Sequence, residues 1–228
     1  MSKGRCLGLV GGLGVGATIH YYSKLAEAHQ ARGRTMDCVI THGETSRVFD
    51  YVKAGNPGGL AEYLNSFLHR LKAAGAEVGV IPAVTPHYAL RELLTTSPLP
   101  LISMIEPLAV ELASRNARRV AVFGTRYSVE SGFFGLLEGI EFVRPEPDEV
   151  DFIHRTYEEL LRDGRGSDEQ HLSLTALAHT LRRRDGVDAI LLAGTDLSLI
   201  FNAANTDFPH VDCAAVHIQA VAKRLLDS

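Results

Sequence analysis

Thr85 and His87 lie two residues apart, Thr195 and Asp196 are adjacent, and each pair closely follows a short apolar run. A threonine at such a place can donate its hydroxyl to a carboxylate while neighbouring backbone amides add further donors. It can equally cap the helix that follows, and for one threonine alone the cap is the simpler reading. A histidine and a carboxylate facing one ligand can serve as acid and base. Gly124-Thr125-Arg126-Tyr127 repeats the pattern after a third apolar run, and His42 and Glu44 follow a fourth. Ahead of all these, Gly12-Leu-Gly-Val-Gly-Ala17 has the GxGxxA form of a dinucleotide turn. Such a turn wants an acid at the end of the second strand, roughly 20 residues further on. The nearest, Glu44, lies more than 30 residues beyond Gly12, so a nicotinamide-type cofactor is disfavoured. The glycines then read as a tight strand-to-helix turn whose free amides can hold an anion. No Ser-His-Asp elbow, P-loop or HExxH pattern occurs.

These residues need elements to position them. Apolar runs at 6–10, 38–41, 78–82, 99–103, 120–124, 141–143 and 189–193, with a weaker one near Val211, read as strands. Amphipathic stretches at 17–32, 59–74, 86–95, 105–115, 130–137, 150–163, 169–184 and 214–226 read as helices. Short buried runs that alternate with helices point to βαβ units on mostly parallel sheets. The chain also repeats itself. Cys6-Leu-Gly-Leu-Val-Gly-Gly12 has its counterpart in Val120-Ala-Val-Phe-Gly-Thr125, and Val80-Ile-Pro-Ala-Val-Thr85 in Ile190-Leu-Leu-Ala-Gly-Thr195. Both offsets are about 110 positions, which implies two α/β lobes related by a pseudo-twofold. The division places 1–104 with 211–228 in one lobe and 105–210 in the other. Ligands of open parallel sheets sit beyond the carboxyl ends of the strands, so these strand-end loops are expected to line a cleft between the lobes.

Composition narrows the function classes. The 228 residues carry a formal charge of −4, and the longest basic run, Arg182-Arg183-Arg184, is followed by Asp185 and Asp188. That run reads as a solvated helix end and excludes nucleic acid as the expected partner. No apolar stretch approaches the roughly 20 residues of a membrane span. The leading stretch Met1–Ala17 has basic residues before an apolar segment, but its five glycines from Gly8 to Gly16 mark a strand and turn rather than a signal peptide. Cys6, Cys38 and Cys213 are far apart in sequence and have no metal-ligand spacing. Reduced, mostly buried thiols in the cytoplasm are the expectation.

Taken together, Gly-Leu-Val-Gly-Gly-Leu-Gly at 8–14, Ala-Val-Thr-Pro-His at 83–87, Gly-Thr-Arg-Tyr-Ser at 124–128, Ala-Gly-Thr-Asp-Leu at 193–197 and Ala-Ala-Val-His at 214–217 resemble the aspartate/glutamate racemase superfamily in order and spacing. The 124–128 stretch is similar to that of broad-specificity bacterial amino-acid racemases. The resemblance implies a pseudo-symmetric two-lobed fold, a small carboxylate or amino acid bound between the lobes, no cofactor, no metal and a homodimer. It also implies a site. Gly12, Val84, Thr85, Thr125, Tyr127 and Thr195 would bind substrate, and catalysis would centre on the positions of Ala83 and Gly194, with His87 and Asp196 beside them. The departures fall at the reactive positions. The usual Cys-Asn-Thr-x-His is here Ala83-Val84-Thr85-Pro86-His87, and the usual Gly-Cys-Thr-Glu is Ala193-Gly194-Thr195-Asp196. Family racemases use two thiols as opposed base and acid. Ala83 and Gly194 have no proton-transfer group, so Asp196, His87 or the 42–47 loop would have to supply one. The expectation is a racemase-like enzyme working by proton transfer or bond cleavage beside a carboxylate. The alternative is a carboxylate-binding protein that has lost the chemistry.

Overall fold

Strand β1, Leu7–Gly11, is buried at every position, as a central strand covered on both faces must be. The computed structural model describes residues 5–227. Residues 1–4 of the leading stretch, with Lys3, lie outside the described residues. The chain divides into two compact units, residues 1–103 with 217–228 and residues 104–216.

In the first unit β1 leads into α1, Val15–Ala31, then β2, Cys38–His42, α2, Thr45–Lys53, α3, Pro57–Ala73, and β3, Val78–Val80. The three strands are parallel in the order β2-β1-β3, with Leu7 opposite Cys38 and Val78. Asn56 caps α3 by accepting a hydrogen bond from Gly59 N at 2.8 Å, and Pro57 occupies the first turn, where its missing N–H costs nothing. Leu60, Leu64, Leu68 and Leu71 recur at helical spacing along α3 and are all fully buried. Each such leucine contributes about 1.5–3 kcal/mol by leaving water. Beyond β3 the chain makes a 3-10 turn at Thr85–Ala89 and runs into α4, Leu90–Thr96.

The second unit runs α5, Ile105–Ser114, β4, Arg119–Phe123, α6, Arg126–Glu130, β5, Glu141–Val143, α7, Pro147–Asp163, α8, Asp168–Asp185, β6, Ala189–Leu192, and β7, His210–Asp212. Its four strands are parallel in the order β5-β4-β6-β7. A 3-10 turn at Thr195–Leu199 follows β6, as one follows β3 in the first unit. Helices α7 and α8 each open with a capping box and end on a left-handed glycine, Gly164 and Gly186. The arginine run closes α8, where Arg184 pairs with Glu149 at 2.8 Å and with Asp185 at 2.7 Å. The last helix, α9, Cys213–Leu226, starts with Asp212 Oδ1 accepting from the amides of Ala214 and Ala215.

Four expectations change. The run at 99–103 makes only an isolated bridge, Leu101 with Gly79, where the second unit has β7. Strand β7 is hydrogen-bonded to β6, which keeps 210–212 in the second unit and moves the return of the chain past residue 211. The second half of the 42–47 segment is the first turn of α2 rather than a loop. The helix read at 130–137 instead ends at Glu130, because Gly132, Phe133 and Phe134 all adopt positive φ.

Candidate active site

Strand β6 carries Ala193, Gly194, Thr195 and Asp196 into the turn at its carboxyl end, and all four are buried. Asp196 is 1% exposed. Tyr157 of α7 donates its hydroxyl to Asp196 Oδ2 at 3.3 Å. The phenol oxygen also accepts hydrogen bonds from the Thr195 hydroxyl and the Asp196 backbone amide. Burial first, and the negative charge of Asp196 second, hold this phenol well above its ordinary pKa. It therefore stays protonated at neutral pH.

The same tyrosine explains the glycine beside it. Gly194 has φ −123° and ψ 113°, an extended conformation that any residue adopts, so the backbone does not require glycine. A β-carbon at 194 would meet the Tyr157 ring instead. It would lie 2.7 Å from Cζ and 2.8 Å from Cδ2, and closer still to Cε2. The ring occupies the space that a cysteine at 194 would need.

The threonines divide. Thr125 caps α6, its hydroxyl accepting from Ser128 N at 3.3 Å, as the simple cap reading requires. Thr85 and Thr195 are not caps: each is the first residue of its 3-10 turn, and the capping positions are Val84 and Gly194. Tyr127 is half-buried beside Thr125. Its neighbour Arg126 is engaged by Asp151 at 2.6 Å, while the Arg126 amide donates to Nδ1 of His154 at 3.3 Å. His154 precedes Tyr157 by one helical turn on α7, so the two sit on one face of that helix.

In the first unit Ala83, Val84, Thr85 and His87 are buried at the end of β3. His87 donates from Nδ1 to the Ala83 carbonyl at 2.9 Å. Burial pushes its pKa down to about 4, so the ring is neutral and a weak base. A second buried histidine faces it, His217, with ring centroids 6.5 Å apart. His217 Nε2 donates to the Ile102 carbonyl at 2.9 Å, which leaves Nδ1 to accept from the Tyr21 hydroxyl at 3.0 Å. Burial and the neighbouring His87 lower His217 to about 3. A cavity of about 10 Å³ beside His87 and Ser103 has room for one water.

The Gly12 amide donates to Thr18 Oγ1 at 3.1 Å and its carbonyl accepts from Thr45 Oγ1 at 3.2 Å. It is glycine because its φ is +80° and because a β-carbon would lie 2.8 Å from the His42 ring. His42 and Glu44 are exposed, and Glu44 gives its amide to the Tyr63 hydroxyl. The structure thus gathers Thr195, Asp196 and Tyr157 into one hydrogen-bonded group, while the backbone of Gly12 is bonded to Thr18 and Thr45. Tyr157, His154 and His217 were not singled out from sequence. Tyr157 and His217 lie on amphipathic helices, where a buried aromatic or histidine reads as core.

Cys6 and Cys213 are buried and Cys38 half-buried, and none of the three is in a disulfide. Burial pushes the Cys38 thiol up to about 12 and the Cys213 thiol well above its ordinary value. Among the described residues no three His, Cys, Asp or Glu side chains stand together as a metal site, and no helix is long and apolar enough to cross a membrane.

The sequence model of the family Asp/Glu/Hydantoin racemase matches residues 10–221. The chain belongs to that family. Its members are racemases, isomerases by reaction class, and the chain stands among them as an enzyme of that class. A Yersinia pestis protein described as a candidate Asp/Glu racemase superposes with a TM-score of 0.81 at 27% identity, covering 97% of this chain and 99% of the other. An aspartate racemase homologue from Pyrococcus horikoshii gives 0.78 at 23% identity over 98% and 100% of the two chains. Glutamate racemase from Thermus thermophilus, solved with beta-chloro-D-alanine, gives 0.65 at 20% identity over 97% and 80%. The last two likenesses show the racemase fold.

Proposed function

We infer that this racemase-family chain acts on a small carboxylic or amino acid by cofactor-independent proton transfer at the carbon beside the carboxylate. Asp196 is the proton carrier, in place of a thiol. The observation that carries this reading is its position: a carboxylate 1% exposed, at the end of β6, held by the Tyr157 hydroxyl. A buried carboxylate aimed by a fixed donor is organised for proton transfer at little reorganisation cost. Thr125 and Tyr127, which follow β4 in the same unit, shape the surroundings. His87 is too weak a base to be the second carrier and serves to brace the 83–87 turn through the Ala83 carbonyl.

A second reading has its own support. Neither Ala83 nor Gly194 can move a proton, and the ring of Tyr157 closes the space beside Gly194. That is what a binding protein with lost chemistry would look like. Proton NMR in D2O separates the two, using a panel of amino and dicarboxylic acids that bind. The enzyme is expected to place deuterium on the carbon beside the carboxylate, and Asp196→Asn to abolish incorporation while ligand affinity stays within a few-fold. No incorporation into any ligand that binds would leave the non-catalytic reading standing.

A further inference from the structure

The space for a residue 194 side chain is filled by an aromatic ring that brings its own ionisable group. The phenol oxygen is one bond beyond Cζ, as a thiol sulfur would be one bond beyond the β-carbon, and Cζ lies 2.7 Å from that β-carbon position. We propose that Tyr157 is a catalytic residue of this site, the proton donor standing where the family's second thiol would be, and that it works with Asp196. This rests on the carbanion chemistry inferred for Asp196.

The surroundings of the phenol fit a donor. Its proton points to Asp196 Oδ2 at 3.3 Å, and its oxygen already accepts from the Asp196 amide and the Thr195 hydroxyl. Those two donors would hold the phenolate formed when the proton leaves, as a preorganised oxyanion site does. The step balances as follows. The Asp196 carboxylate takes the proton from the carbon beside the substrate carboxylate, and the C–H electron pair stays on that carbon. The Tyr157 O–H bond then breaks, and the pair forms a new C–H bond with its hydrogen. The carboxylic acid of Asp196 finally passes a proton to the phenolate, which restores both groups. In D2O the phenol carries deuterium, so the product gains it.

The test follows deuterium incorporation by NMR. Wild type is expected to incorporate deuterium at the carbon beside the carboxylate. Tyr157→Phe keeps the ring that fills the space at Gly194, so the fold should survive, and it should lower exchange by about 10²–10⁴-fold with ligand affinity unchanged. Trifluorotyrosine at 157 guards against a misfolded variant. It keeps the shape and acidifies the phenol, so exchange should fall with rising pH below pH ~10, where the wild-type rate holds. Exchange in Tyr157→Phe at the wild-type rate, or an unmoved pH limb in the fluorinated protein, would each overturn the proposal while leaving the carbanion chemistry of Asp196 in place. No exchange in wild type would remove both.

Discussion

A cysteine reacts as its thiolate, and in this chain burial works against the thiolate. With Cys38 pushed up to about 12, only about one thiol in 10⁵ is ionised at pH 7, and Cys213 is raised further from reactivity by burial beside Asp212. Iodoacetamide is therefore expected to leave deuterium exchange intact over times that inactivate a two-cysteine racemase. Loss of exchange in a protein whose circular dichroism is unchanged would contradict this, and mass spectrometry would then show which thiol had taken part. At this scale much of the candidate site could be read from residue types. Asp196, Thr195 and the empty positions 83 and 194 follow from motif order alone, because each departure sits where a reactive group is expected. Tyr157 could not be read that way. It is 37 positions before Gly194 in the chain and falls in step with Val150, Ile153 and Leu160, so periodicity assigns it to the core. Only the place of its ring beside residue 194 and its bond to Asp196 set it apart from its core neighbours. At Gly12 the motif suggested a ligand, and what the structure adds is that the amide donates to Thr18.

Among elements, the repeat was the most informative signal. It placed β1 against β4 and β3 against β6, and both sheets are parallel with the same local order around those strands. What escaped were the segments whose state depends on a neighbour. The run 99–103 has the composition of a strand but makes a single bridge, and the positive φ of Gly132, Phe133 and Phe134 ends a helix that propensity would continue. The packing of α7 on the turn after β6 gives a direct test. Because Gly194 has ordinary backbone angles, Gly194→Ala carries no conformational penalty, and its whole cost is the clash with the Tyr157 ring. Overpacking of this kind destabilises by about 1–3 kcal/mol. In a Tyr157→Ala background the same change should cost little, since the ring is gone. A double-mutant cycle by urea unfolding measures the difference, and additive effects would show that the two positions are not coupled.

At the scale of the whole molecule, the buried histidines make stability depend on pH. His87 and His217 are neutral in the folded protein, with pKa values of about 4 and about 3, while an unfolded histidine titrates near 6.5. Both folded values lie below the unfolded one, so between pH 6.5 and 4 the unfolded chain binds more protons than the folded chain. Stability is then full above pH ~6.5 and falls as the pH drops, at about 1.4 kcal/mol per pH unit for each histidine. Two histidines together give about 2.7 kcal/mol per pH unit, large against the 5–15 kcal/mol that holds a typical domain. Below pH ~4 His87 has taken its proton in both states, and only His217 continues the loss. The groups facing this pair are themselves uncharged: the Tyr21 hydroxyl donates to His217, and the carbonyls of Ala83 and Ile102 accept from the two rings. No carboxylate is among these partners to stabilise an imidazolium, which is why burial dominates both shifts. Urea unfolding at intervals from pH 7.5 to 4 should show a plateau followed by a steep decline. His217→Gln keeps a side chain able to hydrogen-bond and removes the titration, so its decline should be shallower by about 1.4 kcal/mol per pH unit even if the variant is less stable at pH 7. A wild-type profile flat between pH 6.5 and 4.5, or a variant with the same slope, would mean that these rings do not stay neutral in the folded protein.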